Sequence, residues 1–293
     1  MKCRRKYVLI FAAVILALLL MCANTIAVSF VPKDRLMSEY NFDKANENGE
    51  IYAAITDLQY AQDTFETLLI SGWTAHLNAN DTLKARVILK GDKYSYASVP
   101  CELKLKKQVN RLFNTQANSA FNIYVSTLNM KNGNYDVYVE TSCDDKVLAL
   151  SYMGRSIYKK GTQIKNVSVA EKVDDITACI DDRLDCAVQP VTENEAGLTV
   201  IGWCKMPGID SRLSNIYARV QQGDSVKFFK LYCANSTEIA LNNDGLSSIQ
   251  SGFNSAIPKS ELTNEIAHIS LILENNGQYY SSKEVGGFDF ANN

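Results

Sequence analysis

Six cysteines, Cys101, Cys143, Cys179, Cys186, Cys204 and Cys233, carry most of the chemistry this chain could perform, because an even set of thiols can pair as disulfides or hold a metal. No Cys-x-x-Cys and no Cys/His ligand spacing occurs among them, so the pattern points to disulfides in an oxidising compartment and away from zinc. Six thiols allow 15 connectivities, and the preferred set keeps each bridge local: Cys101 with Cys143, Cys204 with Cys233, Cys179 with Cys186. His76 and His268 form no triad with a serine or cysteine. The doublets Asp144-Asp145 and Asp181-Asp182 lie in turn-like contexts, and no nucleophile elbow, zinc-helix motif, phosphate loop or dinucleotide fingerprint is present. A hydrolase on this chain would instead need a cleft whose carboxylates have perturbed pKa values. The chain therefore reads as non-catalytic, without cofactor or metal.

Recognition is the chemistry left open. Trp73 and Trp203 are the only tryptophans, and Arg86 and Arg219 sit in matching Ala-Arg-Val settings. Tryptophan is either a core plug or a stacking platform for a sugar, and arginine on a strand either faces solvent or meets a ligand. These four are the candidate ligand-binding residues.

Their matching settings expose the organisation of the chain. Leu68-Leu-Ile-Ser-Gly-Trp73 returns as Leu198-Thr-Val-Ile-Gly-Trp203, Gly91-Asp92 as Gly223-Asp224, Cys101 as Cys233, and Ser119-Ala-Phe-Asn122 as Ser251-Gly-Phe-Asn254. A period of about 130 residues is the size of a whole domain, so the chain holds two copies of one module. Within the echo, Leu68, Ile70 and Gly72 alternate on one strand face, as do Leu198, Val200 and Gly202. That face is expected to enter the core, with glycine admitting a close backbone or ring and tryptophan projecting from the opposite face. Phe121 and Phe253 are expected in the core, each beside a turn asparagine.

Short β-rich segments separated by turn signals fill both copies: Thr67 to Leu77, Leu83 to Leu89, Tyr94 to Val99, Phe121 to Ser126, Tyr135 to Glu140 and Val147 to Tyr152, then Leu198 to Lys205, Ile216 to Gln221, Val226 to Cys233, Phe253 to Ile257, Ala267 to Glu274 and Tyr279 to Val285. This spacing predicts an all-β protein built as sandwiches or barrels. Helical spacing exists in Cys101 to Phe113 at Leu105, Val109, Leu112 and Phe113, but the aligned Asn235 to Ile249 is rich in Asn, Ser and Gly and lacks it. An irregular connection is expected there in both copies.

Ahead of the modules, Met1-Lys-Cys-Arg-Arg-Lys6 precedes 17 uncharged, mostly apolar residues from Tyr7 to Ala23. This is a targeting segment, and the positive-inside bias places the rest of the chain outside the cytoplasm. The segment is longer than a usual signal core and shorter than the ~20 residues of a full span, so an uncleaved anchor and a signal cleaved near Thr25 or Ala27 both fit. The expected order is a basic stub with anchor or signal peptide over 1–31, a polar stalk over 32–50, a first β-sandwich over 51–165, an acidic connector over 166–180 and a second β-sandwich over 181–293. The formal net charge of −2, without a basic cluster beyond the N-terminus, argues against nucleic acid as a partner. Asn80-Asp-Thr82, Asn166-Val-Ser168 and Asn235-Ser-Thr237 fit the glycosylation sequon.

The string Ile70-Ser-Gly-Trp73 with Ala120-Phe-Asn122, repeated as Val200-Ile-Gly-Trp203 with Gly252-Phe-Asn254, resembles the immunoglobulin-like accessory modules beside catalytic domains in bacterial surface-glycan biosynthesis proteins. The resemblance spans both modules but not the N-terminal segment, and Val200 departs from the isoleucine. It implies two tandem immunoglobulin-like β-sandwich domains and a cell-envelope setting. No catalytic domain accompanies them, so no activity is carried over. The expected function is a membrane-anchored binding protein for a glycan or an envelope protein, with an accessory scaffold for a glycan-processing enzyme as the alternative.

Overall fold

Strand alternation is written into the burial of nearly every segment. In Thr67–His76 the side chains of Leu68 and Ile70 are fully buried on one face, and in Gly197–Lys205 those of Leu198 and Val200 are. The computed structural model describes residues 25–41, 50–61, 63, 65–166, 168–194, 197–243 and 245–290. Among them the chain is all-β, with helical residues 25–29, two short α-helices within the β units and a few 3-10 turns.

The first unit contains β1 (Ser38–Glu39), β2 (Ile51–Ala61), β3 (Thr67–His76), β4 (Leu83–Lys90), β5 (Ser95–Ala97), β6 (Cys101–Glu102), α1 (Lys107–Phe113), β7 (Ala120–Ser126), β8 (Gly133–Cys143), β9 (Lys146–Lys160) and β10 (Gln163–Asn166). A three-stranded sheet, β2-β3-β7, faces a seven-stranded sheet ordered β1-β5-β4-β8-β9-β10, with β6 beside β4. Between them lies a core that includes Leu68, Ile70, Val87, Leu89, Val125, Val137 and Val139.

The second unit repeats this plan. It contains β11 (Glu171–Val173), β12 (Cys179–Ile180), β13 (Asp185–Val188), β14 (Thr192–Asn194), β15 (Gly197–Lys205), β16 (Ser214–Gln222), β17 (Ser225–Leu231), β18 (Cys233–Ala234), α2 (Thr237–Asn242), β19 (Gly252–Pro258), β20 (Ala267–Asn275) and β21 (Gln278–Phe288). The path β13-β15-β19 mirrors β2-β3-β7, and β17-β16-β20-β21 mirrors β5-β4-β8-β9. The second core includes Leu198, Val200, Ala218, Val220, Phe229, Ile269 and Leu271.

The paired glycines have the structural task expected of them. Gly72 lies opposite Phe121 and Gly202 opposite Phe253. A Cβ on Gly72 would stand 2.3 Å from the Ala54 carbonyl oxygen and 2.5 Å from the Phe121 ring. On Gly202 it would stand 2.1 Å from the Ala187 oxygen and 2.9 Å from the Phe253 ring. In each copy a core phenylalanine therefore lies over a glycine on the neighbouring strand. The following asparagines, Asn122 and Asn254, continue their strands and do not make turns.

Three sequence expectations are corrected. The helical spacing after Cys101 is real: α1 forms and buries Val109 and Phe113, one turn apart, while α2 forms in the polar copy because the Ser236 side chain caps it by accepting from the Ile239 amide. The lead-in read as a stalk packs on the first unit through residue 41, since Met37 is buried in the core and Ser38–Glu39 pairs with β5; residues 42–49 lie outside the described residues. The acidic connector is woven into the second unit, where β11 pairs with β17 and β12 runs parallel to β21. Just beyond it, Asp181 pairs with Arg183, Asp182 with Lys283 and Asp185 with Lys205.

Of the anchor or signal segment expected over 1–31, residues 1–24 lie outside the described residues, and 25–29 of the remainder are helical. Among those described, no helix is long and apolar enough to cross a membrane.

Candidate functional site

The two tryptophans, equivalent in sequence, have opposite fates. Both project from the face of their strand that points away from the sheet-to-sheet core, as the alternation predicts. Trp73 is 0% exposed. It is enclosed by Val109 and Phe113 of α1, by Tyr52 and Ala54 of β2, and by Ala240, Leu246 and Ile249 from the second unit. Its ring meets Phe113 at 5.4 Å between centroids, and Phe113 meets Tyr52 at 5.1 Å. Trp73 is thus a plug at the seam between the units, and no ligand reaches it.

Trp203 is half-buried and lines an open cleft of about 670 Å³. One wall is the edge strand β13 with Asp185, Ala187 and Val188, continuing to Gln189, and the other is α2 with Glu238, Ile239 and Asn242. Helix register explains why this face is open. Three residues after the N-caps Lys106 and Ser236 stand Val109 and Ile239, and seven residues after them stand Phe113 and Asn243. The aromatic ring that seals Trp73 is replaced by an amide above Trp203. The cleft therefore combines an aromatic face and small apolar groups with two carboxylates and three amides, a donor and acceptor set suited to hydroxyls.

α2 joins the two places. Ile239, Asn242 and Asn243 face the cleft, while Ala240, fully buried, faces the Trp73 cluster. The seam is also held by polar contacts. The Arg212 guanidinium is clamped by Asp210 and donates to the Tyr52 hydroxyl at 2.8 Å, and the Asn235 side-chain amide donates to the Ala53 carbonyl at 2.8 Å. A glycan on Asn235 would have to attach to this same Nδ2 at the partly buried seam, so this sequon is poorly placed for modification in the folded chain. Beside it runs a second groove of about 560 Å³, lined by Tyr52, Ser151, Tyr152, Arg212 and Gln250 among others.

The arginines do not join Trp203. Arg86 packs over the Tyr40 ring, 4.8 Å from its centroid, and holds Glu140 through Nε and Nη2, both at 2.7 Å. Tyr40 completes this network by donating to Glu140 at 2.7 Å. Burial first, and then the Glu140 carboxylate, push the Tyr40 phenol up to about 12. Glu140 is 3% exposed, so Arg86 neutralises a buried charge. Arg219 donates to Gln221, at 2.9 Å, on the outer face of its sheet. Both arginines are structural or solvated here.

The preferred cysteine pairing is corrected as well, since all six thiols are free. Cys101 and Cys143 flank β4 on opposite sides, across from Ala85 and Leu83, and two strand spacings put them roughly 10 Å apart. That exceeds the ~7 Å limit between Cα atoms for a disulfide. Cys204 and Cys233 are likewise separated by β19, and Cys179 is exposed on β12 in the sheet opposite Cys186. Burial pushes the Cys101 and Cys233 thiols up to about 11, so they stay protonated at neutral pH.

His76, at the end of β3, carries a polar cluster. Its Nδ1 lies 2.6 Å from Asp81 and its Nε2 3.3 Å from Glu50. Burial lowers its pKa, but the hydrogen bonds that the ring donates to Asp81 and Glu50 outweigh burial and the net shift is upward. No nucleophile joins this group in the contacts described. No protein-family model matches the chain, and no curated protein matches it.

Proposed function

We propose that the chain is a non-catalytic binding protein of the cell envelope, in which two tandem immunoglobulin-like sandwiches are held outside the membrane by the N-terminal segment and the second recognises a glycan. The observation that carries this reading is the Trp203 cleft. One copy of the module seals its tryptophan with Phe113, and the other leaves the equivalent ring open beside Asp185, Gln189, Glu238, Asn242 and Asn243. Sugars offer an apolar CH face for an indole and a ring of hydroxyls for carboxylates and amides, which is the combination this cleft presents.

Asp181, Asp210 and Glu261 lie outside this cleft and are held below the usual carboxylate range, chiefly by hydrogen bonds from Arg183, Arg212 and Lys172 respectively, so they act as ion-pair partners within the units.

The test is a glycan array followed by titration of the responding oligosaccharide. Trp203→Ala should weaken binding at least tenfold with the circular dichroism spectrum unchanged, and Arg219→Ala should leave it within twofold. A null array with the wild-type chain, together with co-purification of a glycan-processing enzyme, would replace this reading with the scaffold alternative.

A further inference from the structure

We propose that Cys186 and Cys204 close as a cross-strand disulfide that clips the edge strand β13 to β15 directly behind the Trp203 cleft. The register places the two residues opposite each other in an antiparallel pair. Three residues along the same pair, the Gln189 amide donates to the Ile201 carbonyl at 2.8 Å, which marks 189 and 201 as a hydrogen-bonded position. Alternation then makes 187 with 203 hydrogen-bonded and 186 with 204 non-hydrogen-bonded. The Cys204 amide agrees, since it points the other way and donates to Ser251 at 2.9 Å. Non-hydrogen-bonded partners have Cα atoms about 4.5 Å apart with side chains on one face, inside the range that a disulfide spans. Both side chains enter the second core. The proximity of the two thiols lowers the pKa of Cys186 and raises that of Cys204.

The chemistry is thiol–disulfide exchange with a donor disulfide, either glutathione disulfide or a dithiol oxidoreductase. Cys186, on the edge strand and partly exposed, attacks a donor sulfur as thiolate and forms a mixed disulfide, releasing one donor thiolate. Cys204, 0% exposed, then gives up its proton and attacks the Cys186 sulfur, releasing the second donor thiolate. Two electrons and two protons leave the chain, and the donor is reduced to two thiols. Cys101, Cys143, Cys179 and Cys233 remain unpaired. This inference does not depend on whether the cleft takes a sugar.

The experiment starts from fully reduced, folded full-length protein incubated with glutathione disulfide, then alkylated and digested without reductant. Mass spectrometry should find Cys186 linked to Cys204 and the other four thiols of the two units alkylated. Linkage of either residue to Cys179 or Cys233, or alkylation of both, overturns the proposal. Cys204→Ser should accumulate glutathione on Cys186, and failure to trap that adduct overturns the order of attack. In the oxidised protein, exchange of the Asp185 and Ala187 amides should quicken on adding reductant by roughly a hundredfold, the scale expected for opening a ring of this size. Unchanged exchange would show that the bridge does not clip the strand.

Discussion

Replacing each tryptophan in turn should cost very different amounts of stability although the two occupy the same place in the repeat. Trp73 has no solvent contact and stacks on Phe113, which stacks on Tyr52. Truncating it removes a whole buried ring and leaves a cavity walled by both units, so Trp73→Ala should cost about 3–5 kcal/mol. With a urea slope of about 2 kcal/mol per molar for a domain of this size, the midpoint should fall by roughly 2 M. Trp203 borders an open cleft, and water fills the space it vacates. Without the cavity penalty, Trp203→Ala should cost about half as much, ~2 kcal/mol or less. Fluorescence supplies an independent readout, because the chain has two tryptophans. The Trp73→Phe variant reports Trp203 alone and should be quenched by acrylamide several-fold more steeply than Trp203→Phe, whose emission should lie further to the blue. Equal quenching and equal losses in urea would mean that the two rings share one environment, and the contrast between plug and cleft would be refuted.

Lys159 and Glu66 form an ion pair at 2.9 Å, with side chains 4% and 11% exposed, and Lys159 also donates to the Gly161 carbonyl. Lys159→Met should destabilise the first unit by about 3–5 kcal/mol by stranding the Glu66 charge, and adding Glu66→Gln should recover part of the loss; urea denaturation of the single and double variants measures both. His76, whose folded pKa is raised, contributes stability that is fully present below its unfolded value near 6.5 and is lost as pH rises through the folded value. The denaturation midpoint of the wild-type protein should therefore fall relative to that of His76→Gln as pH climbs from 6 toward 8, and a constant difference would exclude the coupling.

Periodicity of two is a local signal, and the features it governs were legible in the chain. The core faces of β3 and β15, the outward tryptophans and most strand ends follow from it. The glycine-to-phenylalanine contacts were half legible: the need for space at Gly72 and Gly202 is visible in the sequence, but their partners depend on a register set fifty residues downstream. α2 stayed hidden because its apolar support is not on its own module. Ala240 packs against Trp73 of the other copy, so the helix shows no stripe of its own. The edge strands β11 and β12 contain three and two residues, too few to show any period. The bond between Arg86 and Glu140, and the apposition of Cys186 with Cys204, join positions that no spacing rule connects.

α2 has six residues, well below the length at which a helix holds together in water by itself. It persists because one side rests on the Trp73 cluster. A fragment beginning near residue 168 would keep both sheets of the second unit yet lack the partner for Ala240 and Ile249, and the helix would be free to unwind. The wall of the Trp203 cleft would go with it. The first copy, whose own tryptophan is sealed, thus acts as the mould in which the second copy's open tryptophan cleft is cast, and the duplicated units together build one open cleft.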